Sequence, residues 1–174
     1  MSHVSSIEKA EHIAECLELA ILLEVSAYPK PGNVHRTADF PETTFEQYLA
    51  SAVAIAPSFR MAAEQGIKVM EGEIDISKVE IGYIIKDGVN RMLGSQGGGN
   101  TLLGAIILLA PIAAGAGMIR DSFSLPRLRE NIKKVVEATT PEDAANVYDA
   151  IALVNPGGLN KFFYYYIYLL GTSV

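Results

Sequence analysis

The chain is poor in the residues that mark several familiar chemistries. Its 174 residues hold a single cysteine, Cys16, so no intrachain disulfide framework and no cysteine cage for zinc can form. That usage fits a reducing interior, and a cytoplasmic location is expected. Only three histidines are present, His3, His12 and His35, and they make no metal-ligand cluster. His12 and Cys16 are an i, i+4 pair, which is weak evidence of a metal site on an amphipathic helix. Acidic residues outnumber basic ones, 20 against 14, for a net charge of −6. This argues against a nucleic-acid partner bound by phosphate neutralisation. A nucleotide site needs only a few local cations and stays open. No basic segment with an apolar core behind it opens the chain, so no secretory signal is expected. There is no internal repeat, no nucleophile elbow and no Ser/His/Asp set.

What is present is apolar. Apolar residues make up 49% and charged ones 20%, on the greasy side of globular and far from disordered. The length suits one domain with a full core. The run from Thr101 to Met118 carries no charge and approaches the length of a membrane span. It contains Gly104, Pro111, Gly115 and Gly117 and has no aromatic belt or basic flank at its start, so it is read as a buried core helix and no membrane span is expected.

Periodicity and caps predict an all-α, single-domain bundle of about six helices around that central helix, 101–118. The others are expected near 5–27, 44–65, 78–93, 125–138 and 140–153. Ser5 with Glu8, Thr43 with Glu46 and Ser77 with Glu80 read as capping boxes, and Thr140-Pro141-Glu142-Asp143 is a strong helix start. Gly66 reads as the end of the second helix, and Pro57 within it should kink the helix or free the carbonyl near Val53. Ser51 and Ser58, seven apart, share a face and suit either a polar site or a close helix contact. The domain is taken as 1–160. From Phe162 to Val174 the composition turns abruptly aromatic and uncharged. Residues 161–174 are therefore read as an atypical tail, not the natural continuation of the domain.

The stretch from Glu24 to Phe40 carries the chemistry. Ile7, Ala10, Ala14, Leu17 and Ile21 form an apolar stripe whose next position is Glu24, which places a carboxylate toward the interior. Such a group is costly to bury unless it is paired or binds a cation; capping of the next loop is the plainer reading. Tyr28-Pro29-Lys30-Pro31-Gly32-Asn33 cannot be regular structure, because two prolines fix φ and remove donors. The bend presents Lys30 and Asn33 at fixed places, with His35, Arg36 and Asp39 just beyond. A second loop, Gly94 to Thr101, nearly matches a P-loop. It fails because Asn100 stands where lysine belongs and a helix, not a strand, precedes it. What remains is a glycine-rich approach to a helix N-terminus capped by Asn100, a place that favours an anion.

Glu24-Val25-Ser26, Pro29-Lys30-Pro31-Gly32, Asp39-Phe40, Gly99-Asn100-Thr101 and Gly104-Ala105-Ile106 together resemble the triphosphoribosyl-dephospho-CoA synthase family. The 50–57 segment and Asn155-Pro156-Gly157-Gly158 are similar to its archaeal-type members. The resemblance spans roughly residues 15–160, and the chain looks C-terminally truncated against it. It departs from the bacterial pattern at His35, where an aspartate is typical, and at Leu102-Leu103, where His-Lys is typical. The resemblance implies an all-helical fold. It also implies transfer of the triphosphoribosyl group of ATP to the 2′-hydroxyl of 3′-dephospho-CoA, or a related acceptor, with release of adenine. Glu24 and Asp39 are then candidates for catalysis or for magnesium ligation. Lys30, Asn33, Arg36, Gly98, Gly99, Asn100 and Thr101 are candidates for ATP and phosphate binding. The rival expectation is a non-catalytic nucleotide-binding relic or assembly module; a homo-oligomer is left open.

Overall fold

The computed structural model describes residues 5–97 and 99–156. Gly98, the Gly157-Gly158 pair and the 161–174 tail singled out above lie outside the described residues. Among the described residues six α-helices follow in order: α1 Ser6–Val25, α2 Phe45–Glu71, α3 Ile81–Gln96, α4 Leu103–Gly117, α5 Leu125–Glu137 and α6 Pro141–Val154. Among the described residues the only extended pairings are two isolated bridges, His35 with Ala38 and Phe40 with Thr43.

The expected capping box of α1 forms, Ser5 and Glu8 each accepting from the other's backbone N–H. Its buried positions are Ala10, Ala14, Ile21 and Val25. The stripe thus steps from Ile21 by four residues to Val25 and not by three to Glu24, which is exposed. Both steps suit a 3.6-residue period. The register that buries valine and leaves the carboxylate in water is the cheaper one.

The start of α2 lies one residue beyond the predicted one. Thr44 and Gln47 form the capping box, not Thr43 and Glu46. Pro57 sits inside the helix without ending it, and Val53 is on the exposed side, where the carbonyl that the ring leaves unpaired can meet water. Gly66 does not terminate α2. The helix runs on to Glu71 and stops at Gly72 in the left-handed region, φ 79°. Gly66 serves packing instead: a Cβ there would overlap the carbonyl oxygen of Ala114 and lie 2.8 Å from its carbon. Gly117 is the counterpart on α4, where a Cβ would overlap the carbonyl oxygen of Ala63. Backbone meets backbone where α2 and α4 cross, and the fully buried Ala62, Ala63, Ala110, Ala113 and Ala114 belong to the same two helices.

The apolar helix α4 touches α1, α2, α3 and α5, and α2 shares the centre by packing on α1, α3 and α4. Helix α4 is not buried all round, since Gly104 and Leu108 are exposed on one side. No helix among the described residues is long and apolar enough to cross a membrane. The C-terminal carbonyls of α4 are capped from α1: Lys9 Nζ donates to Gly117 at 2.7 Å and Ile119 at 2.6 Å, a cation at the negative end of the helix dipole. Burial holds the Lys9 pKa below its ordinary value, against the opposing charge of Glu71.

The third predicted capping box is absent. Ser77 belongs to a 3-10 turn, Ile76–Lys78, capped by Asp75, which accepts from the Ser77 backbone and hydroxyl. Glu80 then takes a left-handed conformation and offers no cap to α3. That cap comes from 61 residues away. Asp143, buried at the start of α6, accepts from Gly82 N at 2.8 Å with Oδ1, and from Thr140 N and Oγ1, each at 2.8 Å, with Oδ2. One carboxylate closes two helix starts. Asp143→Ala should therefore lose a cap worth about 1 kcal/mol and strand a buried N–H at about 1–3 kcal/mol. Urea denaturation should show a loss of about 2–3 kcal/mol; a change below about 0.5 kcal/mol would contradict this arrangement.

Candidate functional site

The chain leaves α1 at Val25 and enters α2 at Phe45 through a bend anchored by Val34, which is fully buried. Two tight turns stiffen it. His35 and Ala38 exchange both backbone hydrogen bonds, at 3.0 and 2.9 Å, and Phe40 and Thr43 do the same at 2.9 and 3.3 Å. Gly32 supplies the positive φ, 76°, that the Pro31-Gly32-Asn33 bend requires. The expected rigidity of this loop is thus present, built from turns as well as prolines.

Glu24 stands at the rim of this bend. Its carboxylate pairs with Lys30 Nζ at 2.5 Å. The lysine is the buried partner: its side chain is 16% exposed against 58% for Glu24. The Nζ atom itself is shielded from water and makes no hydrogen bond of good geometry. Among the described residues the ion pair is thus its one compensation, with donor capacity left over. Tyr48, on the second turn of α2, faces the same carboxylate; burial first, and the Glu24 charge second, push its phenol above the usual range. Sequence reasoning did not single out Tyr48, whose spacing with Ala52, Ile55 and Phe59 fits the apolar stripe of α2. Its place at the mouth of the helix that follows the Lys30 bend was the available signal.

The remaining candidates of this stretch divide. The Arg36 guanidinium lies over the Tyr28 ring, 5.8 Å from its centroid, and Tyr28 meets His35 edge-on at 5.6 Å. Asn33 Oδ1 accepts from Val34 N at 2.8 Å, which leaves its amide N–H donors outward on an exposed residue. Asp39 holds the start of α2, accepting from Phe45 N with Oδ1 at 2.8 Å; its second oxygen remains for other use. His35, the departure from the bacterial pattern, is buried with Nδ1 3.1 Å from the Thr37 hydroxyl.

The helix behind the second loop begins two residues later than predicted: α4 starts at Leu103 with Leu102, not Asn100, in the N-cap position and no side-chain cap. Asn100 Oδ1 reaches in from before the cap to accept from Leu103 N at 3.1 Å. Gln96 Nε2 ties the loop back through Gly99 O at 2.8 Å. Thr101 turns inward to the buried Ser51 hydroxyl, 2.8 Å away, and Ser58 donates to Asp87 at 2.7 Å. The two serines thus pin helices and loop together. Leu102 and Leu103 are core residues.

A cleft of about 590 Å³ joins the two regions. It is lined by Phe40, Pro41, Glu42 and Thr43 on one wall and by Gly99, Asn100 and the end of α6 through Pro156 on the other. The sequence-predicted residues therefore form two neighbourhoods along one chain segment. Lys30 and Glu24 meet at the start of the bend; Gly99 and Asn100 meet its far end, beyond Asp39. Lys30, Arg36 and Asn33 do not line the cleft. Among the described residues no three His, Cys, Asp or Glu side chains gather as a metal cage.

The sequence model of the family described as ATP:dephospho-CoA triphosphoribosyl transferase matches residues 10–168. A protein of Pseudomonas fluorescens named "Probable 2-(5''-triphosphoribosyl)-3'-dephosphocoenzyme-A synthase" is 34% identical over 122 residues, covering 68% of this chain and 41% of that protein. One of the same name from Pseudomonas putida is 32% identical over 113 residues, 63% of this chain and 40% of that protein. The chain thus spans about two fifths of the length of these curated relatives. No solved structure matches it.

Proposed function

This chain belongs to the ATP:dephospho-CoA triphosphoribosyl transferase family, and on that premise we propose that it transfers the triphosphoribosyl group of ATP to the 2′-hydroxyl of a dephospho-CoA acceptor, releasing adenine. The observation that carries the reading to this chain's own residues is the Lys30 ammonium, shielded from water yet met, among the described residues, only by Glu24. A cation kept in that condition has capacity for an anion, and a triphosphate is the anion the proposed reaction brings.

In the reaction the bond between the ribose anomeric carbon and the adenine nitrogen breaks, and a bond to the acceptor oxygen forms. The hydroxyl proton leaves to a base and adenine gains a proton. The centre passes through an oxocarbenium-like state, stabilised by a nearby carboxylate. Lys30 and Arg36 are the cations assigned to the triphosphate, with Asn33 donating to its oxygens. Glu24 and Asp39 are the carboxylates assigned to the anomeric centre and to the proton of the attacking hydroxyl.

Magnesium enters this reading with the substrate, as MgATP. Glu24 is already compensated by Lys30 and Asp39 uses one oxygen on α2, and no three His, Cys, Asp or Glu side chains gather among the described residues. A metal would therefore be held mainly by the phosphates, with at most one of these carboxylates added. In that state the metal supplies charge neutralisation on the phosphates.

The test is mass-spectrometric detection of adenine from ATP with and without 3′-dephospho-CoA. Adenine formed only when both substrates are present is the expected result. ATP that raises the thermal midpoint yet yields no adenine would instead make this chain a non-catalytic nucleotide binder. Neither effect at millimolar ATP would sink the assignment altogether.

A further inference from the structure

We infer that the cleft between the Phe40–Thr43 turn and the Asn100 loop takes an adenine base, not the phosphates. The inference rests on the transferase reading and assigns the base end of its substrates.

Its volume, about 590 Å³, lies within the usual range of small-ligand sites. Four features of the walls point to a purine. Phe40 leaves 47% of its surface exposed although its backbone is held in place by reciprocal bonds with Thr43 and by the neighbouring Asp39–Phe45 contact. A rigidly held, half-exposed aromatic ring beside a cleft is a stacking platform. Pro41, Val154 and Pro156 add apolar surface of the kind that accepts a flat ring. Asn100 is oriented by the bond its carbonyl oxygen accepts from Leu103 N, and its amide N–H groups supply donors that match the ring-nitrogen acceptors of adenine. Glu42, exposed on the opposite wall, is an acceptor for the exocyclic amine.

Charge decides against phosphate. The described lining contains the Glu42 carboxylate and neither lysine nor arginine; a triphosphate there would meet an anion without a cation. The cations Lys30 and Arg36 are at the other end of the same segment. The 24–40 stretch would then lie along a nucleotide, with the charged end at Lys30 and the base beyond Asp39.

Adenine occurs in both ATP and dephospho-CoA, so each is titrated separately by calorimetry against the full 174-residue chain, alongside inorganic tripolyphosphate. Phe40→Ala should weaken binding of the nucleotide seated in the cleft by roughly 5- to 100-fold and leave tripolyphosphate binding unchanged. The nucleotide whose affinity falls is the one that occupies the cleft. Glu42→Gln should reduce preference for the adenine nucleotide over its hypoxanthine counterpart, which lacks the exocyclic amine. Both residues are surface-exposed, and an unchanged thermal midpoint verifies the fold of each variant. Unchanged affinity and base preference in both variants, with nucleotide binding lost in Lys30→Ala, would overturn the base pocket while leaving the transferase reading intact. Absence of binding of either nucleotide to the wild-type chain would overturn both.

Discussion

Gly66→Ala should lose about 3 kcal/mol or more of stability, the upper end of what overpacking one methyl group costs. The added Cβ would overlap the Ala114 carbonyl oxygen and lie 2.8 Å from its carbon. The obstacle is backbone, so no rotamer change relieves it. α2 and α4 must separate, and both are central: α2 also packs on α1 and α3, and α4 also packs on α1, α3 and α5. For a domain of this size the thermal midpoint should fall by roughly 10 °C. Gly94→Ala supplies the contrast. It lies within α3, exposed, with no atom within 4 Å of the new Cβ. The same chemical change there should raise stability by about 0.5–1 kcal/mol, because alanine is the better helix former. Equal effects at the two positions in a denaturation experiment would mean that the α2–α4 crossing is not as close as described.

Gly66 also shows where reading the chain in one dimension stops. A glycine after an amphipathic run is a stop signal when its neighbours are local, and a packing residue when a second helix crosses at that point. Ala114 decides between the two, and it lies 48 positions away. Asp143 is a similar case: its role as first-turn acid of α6 was legible from Thr140-Pro141, whereas its cap on Gly82 depends on α3 and α6 packing side by side with their starts together. Errors of one residue have a more local origin. Thr43 and Thr44 are chemically equivalent caps, and Glu24 and Val25 both continue a 3.6-residue stripe from Ile21, so burial cost settles the choice. Legible without any partner were the features set locally: the stiff Pro29–Gly32 bend, the Ser5 capping box, and the uncharged run that became α4. The candidate site was legible as two loops. Its division into a cation end and a cleft end was not, because the extent of the Phe40–Thr43 turn fixes how far Lys30 stands from Asn100.

Lys30→Ala should reduce adenine release from ATP by about 10²- to 10³-fold, the scale expected when one pre-placed charge is removed from a developing or transferring anion. Its effect on stability should be far smaller. Glu24, the partner left behind, is 58% exposed, so water takes over its solvation and the loss should stay within about 1 kcal/mol. This separation of effects is the diagnostic. A lysine whose only work is to tie the bend to α1 would show the opposite pattern, a measurable drop in denaturation midpoint with turnover preserved. Lys30→Arg keeps the charge but replaces a compact ammonium by a planar fork, and in a shielded position it should recover only part of the activity. Glu24→Gln removes the counter-charge without removing the cation. If Glu24 only holds Lys30 in place, ATP affinity should be kept or improved and turnover should fall little. If the carboxylate serves the anomeric centre, turnover should fall with ATP affinity unchanged. Turnover within twofold of wild type in both Lys30→Ala and Glu24→Gln would remove this ion pair from the mechanism.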